Sequence, residues 1–296
     1  MDKISSGIIS LDLSLNGGIP LDKITEICGP PNSSKTSFVL NMIKQNEDCV
    51  TAYLDIDNTI NMHYLETLGI DIDSLVIAHP QTSEQLVQIT EELIASGSVD
   101  IIVVDSIASL ISNEDLNSSM KKQSNNNTIT DTIKKLSNLM YKSNCALVLI
   151  NQVRNDLKST KYNSEIAIAD RALNTYASVR LDVRKSEQIK MNGEVVGAKT
   201  NIKVVKNKVA PPFKEAEFDI MFGQGISTEG DVLDLASELG IIVKSGAWYA
   251  YNDAKIGQGR ENAKTYLKEH PEVMEEVEKK VRAHFGLNGM KEQDAE

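Results

Sequence analysis

The stretch Gly29-Pro-Pro-Asn-Ser-Ser-Lys-Thr36 decides the fold of this chain, because the sequences on its two sides indicate which kind of loop it forms. A short β-branched apolar run, Ile24–Cys28, precedes it, and the apolar run Phe38–Ile43 follows it. Strand, loop and helix in this order are the context that a phosphate-binding loop requires. Backbone N–H groups of the loop and the positive end of the helix then face an anion. Lys35 would reach the outer phosphates, and the Thr36 hydroxyl would take one position around Mg²⁺.

The loop departs from the usual pattern at one position, where Ser34 stands in place of the second glycine. Glycine serves there because it adopts positive φ readily and lets the backbone approach a phosphate, whereas serine adds a Cβ atom. A chance occurrence of the same residues is therefore an alternative that the other motifs must decide. The residues assigned to the site are Gly29, Pro30, Pro31, Asn32, Ser33, Ser34, Lys35, Thr36 and Ser37.

Composition is that of an ordinary folded protein. Of the 296 residues, 41% are hydrophobic and 25% are charged, which suffices for a substantial core. No run of about 18 apolar residues occurs, and the N-terminus lacks a signal-peptide core, so we expect a cytoplasmic protein without a membrane partner. The three cysteines have no metal-ligand spacing and are expected to be buried thiols.

The net charge of −11 argues against indiscriminate binding of polyanions. The segment from Arg180 to Lys214, however, contains nine lysines and arginines and three acids, which gives it a local net charge of +6. Such an excess is compatible with a phosphate-facing surface and also with a solvated basic face.

The remaining sequence alternates strand and helix patterns, which predicts a mixed, mainly parallel α/β sheet. Strands are expected at Ile24–Cys28, Val50–Leu54, Leu75–Ala78, Asp100–Ser106, Cys145–Ile150 and Ala216–Met221, with Ala177–Val183 and Thr200–Val205 forming a hairpin. Helices are expected within Ser5–Leu15, after the phosphate loop to Asn46, and at Ser83–Ser96 and Ile129–Tyr141. A small α+β appendage is predicted from the helix Asp231–Leu239, the strand Trp248–Tyr251 and the helical segment Ala263–His284, interrupted at Pro271.

Asp105 closes a run of four apolar residues that predicts a strand buried on both faces. An acid at the carboxyl end of such a strand lies where an open α/β sheet presents groups to its ligand. Together with the phosphate loop, Asp105 is predicted to hold Mg²⁺ through water while Thr36 binds it directly. The alternative is a strand-end carboxylate that caps the next helix.

Two long polar segments, Asn113–Thr130 and Val153–Arg171, interrupt the alternation and are predicted to be loops, the first of which could start with a helix. Loops of this length inside a compact domain are usually functional or disordered.

These motifs, in this order, resemble the RecA family of bacterial and phage recombinases, from about Ile4 to Phe285. The segments that carry the resemblance are Ile4-Ser-Ser-Gly, the phosphate loop, Tyr53-Leu-Asp-Ile-Asp57, Ile102-Val-Val-Asp-Ser106, Ile150-Asn-Gln-Val-Arg154, Tyr176-Ala-Ser-Val-Arg-Leu-Asp182, Val204-Val-Lys-Asn-Lys208, Pro212-Phe-Lys214, Gly246-Ala-Trp-Tyr249 and Lys255-Ile-Gly-Gln-Gly259. The resemblance implies a RecA-like P-loop ATPase core over residues 1–226, a small α+β C-terminal domain over 227–290 and an acidic tail over 291–296.

The resemblance implies an ATP-dependent DNA recombinase with ATP and Mg²⁺ as cofactors. Such proteins form helical filaments on single-stranded DNA and pair it with homologous double-stranded DNA in recombination and repair. The two polar segments would be the family's DNA-contacting loops, and contacts to phosphates predict binding that weakens steeply with salt. The residues expected to contact DNA are Lys121, Lys122, Arg154, Lys158, Lys161 and Arg171.

The resemblance also implies roles for single residues. Asp57 would activate the attacking water, and Gln152 would sense the γ-phosphate. Tyr64 falls where an aromatic ring packs against adenine, and Lys206 and Lys208 would reach phosphates bound by a neighbouring protomer. The expected catalytic set is Lys35, Asp57, Asp105 and Gln152.

Several departures suggest a divergent, phage-type member with slow turnover. Asp57 stands where the family has glutamate, so its reach is shorter by one methylene, about 1.5 Å, and a displaced base can cost about 10²-fold in rate. Asn61 replaces an acid, and no glycine occurs from Ser98 to Asn192. The family's N-terminal arm has no counterpart before Ile4, so we expect a filament that is held by its remaining ATP-bridging surface or is weaker.

Two other hypotheses stay open. The changes at Ser34 and Asp57 favour a protein of the same ancestry that binds ATP, barely hydrolyses it, and regulates or loads another recombinase. A RecA-fold motor with a different nucleic-acid task, such as a helicase loader, is the third, and the matching C-terminal appendage counts against it.

Overall fold

The computed structural model describes residues 2–110, 122–141, 143–155, 165–167, 169–191 and 193–287. The strands are β1 (Lys3–Ile4), β2 (Ile19–Pro20), β3 (Ile24–Cys28), β4 (Thr51–Asp55), β5 (Leu75–Ala78), β6 (Ile101–Asp105), β7 (Ala146–Ile150), β8 (Val153–Asn155), β9 (Glu165–Ala167), β10 (Val179–Met191), β11 (Glu194–Asn207), β12 (Glu215–Met221), β13 (Gly225–Ile226), β14 (Val243–Ser245), β15 (Trp248–Tyr251) and β16 (Ala254–Gln258). The helices are α1 (Ile9–Ser14), α2 (Lys35–Gln45), α3 (Met62–Leu68), α4 (Ser83–Ser96), α5 (Lys122–Met140), α6 (Asp170–Tyr176), α7 (Thr228–Glu238), α8 (Arg260–Glu269) and α9 (Pro271–His284). Among the described helices, none has the length and apolar character needed to cross a bilayer.

A nine-stranded sheet in the order β13-β12-β11-β10-β3-β7-β6-β4-β5 forms the centre of the fold. The neighbours from β10 to β5 pair in parallel, and those from β10 to β13 pair antiparallel. Every residue of β3, β4, β6 and β7 is buried, as expected for parallel strands covered on both faces. The predicted mixed, mainly parallel α/β fold is confirmed.

Two hydrophobic clusters cover the two faces of this sheet. Alternate side chains of one strand enter different clusters, for example Val103 and Val104 of β6, because successive residues point to opposite faces. α2 packs in the first cluster, where the rings of Phe38 and Phe218 lie 6.4 Å apart. Residues of α5 and α6 pack in the second. The apolar period of the α2 sequence therefore sets which face the helix covers.

The parallel strands bring their carboxyl ends to one edge. Asp55 pairs in register with Asp105, and Ile27 pairs with Ile150. The chain leaves β3, passes through α2 and returns at β4, while β7 and β6 lie between those two strands. A reversal of this kind opens a crevice at the carboxyl edge, where α/β sheets bind their ligands.

The structure corrects both predicted loops. α5 begins at Lys122, so the prediction of a loop over Asn113–Thr130 is wrong for residues 122–130. Residues 122–128 are all polar, so the sequence shows no apolar period there. They are helical because they extend the second half of α5, which is anchored in the core by Ile129, Ile133 and Leu136. The segment Val153–Arg171 likewise contains β8 and β9, which pair antiparallel, and the start of α6. Strands of three residues are too short for periodicity to detect.

The C-terminal unit consists of α7, the antiparallel sheet β14-β15-β16, α8 and α9. The predicted interruption at Pro271 is confirmed, because α8 ends at Glu269 and α9 begins at the proline. β14 and β16 were not predicted, since Val243–Ser245 is wholly exposed and Ala254–Gln258 holds one buried residue. The hairpin β10–β11 is also longer than expected.

Carboxylates join this unit to the large sheet. Asp219 of β12 is buried and accepts hydrogen bonds from Lys264 Nζ at 2.7 Å and from Arg260. Asp231 of α7 accepts the backbone N–H groups of Ile9 at 2.7 Å and Ser10 at 3.3 Å, so it caps the first turn of α1. The C-terminal unit is therefore attached at both β12 and α1.

Asp231 makes folding pH-dependent in a defined window. Burial raises its pKa to about 6, against the opposing hydrogen bonds from Ser10 and Ile9. The folded state therefore holds this proton more tightly than the unfolded chain between about pH 4 and 6, and stability falls as pH rises through that window. Above pH 6 the loss is complete, at about 2–3 kcal/mol. We expect Asp231→Asn to remove this fall, as measured by urea unfolding at pH 4, 5, 6 and 7.

The exposed Asp48→Asn changes the net charge equally and serves as the control, which should keep the wild-type fall. An unchanged pH dependence in Asp231→Asn would contradict the assignment.

Candidate nucleotide-binding site

The phosphate loop joins β3 to α2 and takes a left-handed turn at two positions. Ser34, the helix N-cap, has φ 72° and ψ 24°, and Asn32 has φ 59°. Serine therefore occupies the conformation for which glycine is usually selected, at a cost of about 1–2 kcal/mol. Its side chain makes no capping hydrogen bond. The first-turn N–H groups of α2 are thus left to a ligand, since a helix cannot satisfy them itself.

Gly29 is fixed by the close approach of its neighbours. A Cβ atom at this position would lie 2.3 Å from the Val183 carbonyl oxygen and 2.6 Å from Ser33 Oγ. Val183 belongs to β10, which pairs with β3 up to Cys28. The loop is therefore pressed against the neighbouring strand, and this glycine keeps its backbone close to the sheet edge.

Lys35 folds back over the loop. Its ammonium donates hydrogen bonds to the carbonyl oxygens of Pro30 at 2.8 Å and Gly29 at 3.1 Å, and its exposed fraction is 7%. Burial lowers its pKa, an effect opposed by the charge of Asp105. The Lys35 ammonium therefore lies over the loop backbone, and its contact with phosphates stays a prediction.

Asp105 and Thr36 meet at the carboxyl edge of the sheet. Thr36 Oγ1 donates to Asp105 Oδ2 at 2.9 Å, and the hydroxyl of Tyr53 donates to the same oxygen at 2.7 Å. Burial raises the pKa of Asp105, and these two hydrogen bonds oppose the rise. Hydroxyl and carboxylate oxygens are ligands that Mg²⁺ prefers, and it commonly takes one or two from protein and the rest from phosphates and water. Thr36 and Asp105 fit that requirement, although no group of three His, Cys, Asp or Glu suited to a metal occurs among the described residues.

Asp57 lies beside this pair on the segment that follows β4. Its side chain is exposed, and Oδ2 accepts a hydrogen bond of 3.3 Å from Ser106 Oγ. Asp55, by contrast, is buried and accepts the N–H groups of Thr59 and Ile60 at 3.2 and 2.9 Å. Asp55 therefore stabilises the turn that follows β4, and Asp57 is the acid at this strand end whose side chain is exposed to solvent.

Gln152 lies at the end of β7, next to the loop. The N–H of Val153 donates to the Gly29 carbonyl at 3.2 Å, and the N–H of Gln152 donates to Asn151 Oδ1 at 2.9 Å. Asn151 Nδ2 in turn donates to Glu26 Oε1 at 2.7 Å. A buried carboxylate of β3 therefore holds Asn151, which in turn accepts the backbone N–H of Gln152.

Glu26 and Arg180 form a buried ion pair that the sequence analysis missed. Arg180 Nε donates to Glu26 Oε2, and its NH2 group donates to Asp170 Oδ1 at 2.6 Å at the start of α6. Burial raises the pKa of Glu26, and the charge of Arg180 opposes this rise. The available signal was an acid in the middle of the apolar run Ile24–Cys28, since a charge in a buried strand requires a partner.

Tyr64 lies on α3 and lines a cavity of about 600 Å³ that adjoins the first turns of α2. Ser37 and Asn41 of α2 form the wall of the cavity next to the phosphate loop. Met221, the last residue of β12, and Gly223, just before β13, also line it. Asn61 is the N-cap of α3 and accepts the N–H of Tyr64 at 3.1 Å. Asparagine therefore has a structural role where the resemblance leads us to expect an acid.

The chain resembles known proteins over nearly its whole length. The model of the RecA N-terminal domain matches residues 1–227, and that of the RecA C-terminal domain matches residues 230–286. The RecA protein of Halalkalibacterium halodurans is 45% identical over 99% of this chain and 85% of its own length. The RecA protein of Clostridioides difficile is 44% identical over 97% of this chain and 84% of its own length. That of Staphylococcus carnosus is 45% identical over 97% of this chain and 82% of its own length.

The chain belongs to the RecA family. RecA proteins are DNA-dependent ATPases that act in homologous recombination and repair, so the predicted family and its ATP-dependent recombinase activity are confirmed.

Lys206 and Lys208, the RecA-type pair expected to act on a neighbour, lie together at the carboxyl end of α6. Lys206 Nζ donates to the Ala177 carbonyl at 2.6 Å and to that of Asn174, and Lys208 Nζ donates to the Thr175 carbonyl at 3.0 Å. Burial and the adjacent Lys208 lower the pKa of Lys206 to about 8. No described hydrogen bond joins either lysine to the phosphate loop of the same chain.

The cations predicted to contact DNA lie in the two corrected segments. Lys122 is the first residue of α5, Arg154 lies in β8, and Arg171 is exposed on α6. Three further lysines predicted to contact DNA, Lys121, Lys158 and Lys161, lie outside the described residues. Because Arg171 is helical, the prediction that it lies in a loop is wrong.

The left-handed conformation of Ser34 leads to a prediction for stability. We expect Ser34→Gly to raise the free energy of unfolding by about 0.5–1 kcal/mol, because removal of the conformational cost outweighs the greater freedom of glycine in the unfolded chain. Chemical denaturation without nucleotide measures the change. Ser37→Gly, three residues on and helical, is the matched control and should lose about 0.5 kcal/mol. A loss of stability in Ser34→Gly would show that the Cβ atom of Ser34 is needed in the loop.

Proposed function

We propose that this chain is a recombinase that binds ATP and Mg²⁺ at the phosphate loop, forms helical filaments on single-stranded DNA and pairs it with double-stranded DNA. The observation that carries the proposal is the convergence of Lys35, Thr36 and Asp105 at the carboxyl edge of the sheet, in a chain of the RecA family. The proposal places its activity in the cytoplasm, with a core over residues 1–226, a C-terminal domain over 227–290 and a tail over 291–296.

The phosphates of ATP are held by the loop residues. First-turn N–H groups of α2 and the Lys35 ammonium supply the donors, and the dipole of α2 adds favourable charge. Thr36 and Asp105 are the residues that would hold the Mg²⁺ of the nucleotide, and the ion would supply positive charge next to the phosphates. The adenine base enters the cavity lined by Tyr64, which begins next to the loop. Preorganised donors of this kind stabilise the charge that develops during phosphoryl transfer.

Asp57 orients and deprotonates the attacking water. Its exposed carboxylate lies one hydrogen bond from Ser106, the residue after Asp105, so it is adjacent to the site and open to solvent. Because aspartate is shorter than glutamate by one methylene, the proposal includes slow hydrolysis.

A continuous set of hydrogen bonds supports coupling between nucleotide and DNA. Gln152 bonds to Asn151, Asn151 to Glu26, Glu26 to Arg180, and Arg180 to Asp170. This set begins beside the phosphate loop and ends on α6, which follows the second DNA-contacting segment. Nucleotide bound near Gln152 would act on that segment through this set, which starts at the backbone N–H of Gln152 and continues through the side chains of the other residues.

The filament follows from a head-to-tail contact between copies. Lys206 and Lys208 reach the nucleotide bound by the next protomer, and a contact of this heterologous kind propagates into a helix when its rotation does not close. The local excess of positive charge from Arg180 to Lys214 supports attraction to the phosphates of that nucleotide.

The alternative function is an accessory protein that binds ATP and barely hydrolyses it. The specific observation in its favour is the combination of Ser34 in a left-handed conformation with the shorter acid at Asp57.

ATP hydrolysis with and without single-stranded DNA separates the two functions. For the recombinase we expect turnover that DNA stimulates and that Lys35→Ala abolishes, because the variant loses the cation over the loop. Lys279→Ala, which removes an exposed lysine of α9 outside the cavity, is the control and should retain wild-type turnover. Binding of ATP and DNA without turnover supports the accessory protein, and absence of nucleotide binding refutes both.

The shorter acid at position 57 gives a second kinetic prediction. We expect Asp57→Glu to raise the rate of DNA-stimulated hydrolysis by about tenfold, because it restores the reach to the water. Steady-state kinetics measure kcat, and Asp48→Glu, an exposed conservative change elsewhere, is the control. No increase would mean that the site is built around aspartate.

A further inference from the structure

Tyr53 carries a buried hydroxyl into the edge of the nucleotide site. It lies in the middle of β4, its exposed fraction is 1%, and its ring belongs to the hydrophobic cluster on the α2 face of the sheet. A buried phenol needs a hydrogen-bond partner. The partner is Asp105 Oδ2, at 2.7 Å. A phenylalanine would fill the same space in the core, so the hydroxyl itself requires an explanation.

The register of the sheet explains how the two residues meet. Asp55 pairs with Asp105, and Tyr53 precedes Asp55 by two residues on the same face of β4. The tyrosine ring therefore extends along the strand toward the carboxyl edge and reaches the neighbouring strand end. Its hydroxyl approaches Asp105 from the sheet, whereas Thr36 approaches from α2.

Both hydroxyls donate to the same carboxylate oxygen. Thr36 Oγ1 and Tyr53 Oη lie 2.9 and 2.7 Å from Asp105 Oδ2, and none of the hydrogen bonds described for this side chain involves Oδ1. Two donors from different directions fix the rotation of the carboxylate. Oδ1 is then the oxygen left to accept from a water of the metal ion, and Thr36 keeps its lone pairs for the metal because its proton is donated to Asp105.

We propose that Tyr53 is a positioning residue for Mg²⁺-nucleotide binding, acting through Asp105. The inference rests on the proposed function, since it assumes that Thr36 and Asp105 hold the magnesium of a bound nucleotide. Hydrogen bonds to metal-ligating carboxylates orient them, and loss of such a partner typically costs 10–100-fold in metal affinity or activity. Removal of the Tyr53 hydroxyl leaves Thr36 as the single donor, and Thr36 then has to orient Asp105 while it also binds the metal.

Binding of a non-hydrolysable ATP analogue, titrated with Mg²⁺ and repeated in EDTA, tests this role without a turnover assay. For Tyr53→Phe we expect the Mg²⁺ concentration at half-maximal binding to rise about tenfold, and affinity in EDTA to change less than about twofold. Tyr249→Phe removes the hydroxyl of another buried tyrosine, in the C-terminal sheet, and is expected to leave both quantities unchanged. The melting temperature of each variant confirms that the fold is intact.

A double-mutant cycle separates positioning from packing. If Tyr53 acts through Asp105, Tyr53→Phe has no further effect on the Mg²⁺ dependence in an Asp105→Asn background, so the two changes are not additive. An unchanged Mg²⁺ dependence in Tyr53→Phe overturns the proposal, as does an equal loss of affinity with and without Mg²⁺. If the wild-type protein does not bind the analogue at all, the proposed function is also overturned. If only the effect of Tyr53→Phe is missing, the positioning role alone is overturned.

Discussion

The shared carboxyl edge of the parallel strands is the constraint on which the rest of the structure depends. β3, β7, β6 and β4 are hydrogen-bonded neighbours in one direction, so whatever follows each strand is brought to the same edge. The phosphate loop, Gln152, Asp105 and Asp57 all follow one of these strands or end it. Their proximity is thus a property of the sheet, and each side chain needs only local contacts to complete its orientation.

Much of this arrangement could be predicted from sequence, for identifiable reasons. Runs such as Ile24–Cys28 and Ile101–Asp105 are mostly apolar because both faces of these strands are covered. The phosphate loop has its own residue pattern, so Lys35, Thr36 and Asp105 could be placed in one site. The pairing of Asp105 with Asp55 was seen only in the structure, because the sequence predicted a mainly parallel sheet without its strand order.

What could not be predicted depends on contacts between distant residues or on weak local signals. Arg180 and Glu26 are separated by 154 positions in the sequence, and a local hydrophobic pattern cannot predict a contact between such distant residues. The hydroxyl of Tyr53 could have pointed to any polar neighbour until the register was known. The first turns of α5 consist of polar residues that form a helix only as an extension of its anchored half. Ser34 illustrates the opposite case, since the sequence raised the question of its conformation and the structure answered it.

The cap that Asp231 provides for α1 joins regions from opposite ends of the described chain. Ile9 of α1 packs in the same hydrophobic cluster as Val232, Leu233 and Val281, and its N–H is held by Asp231. A protein shortened after β13 would expose that side of α1 and leave its first turn without an acceptor. The two RecA-matched regions therefore share a hydrophobic cluster and a capping hydrogen bond, and a fragment of the larger region alone would lack both.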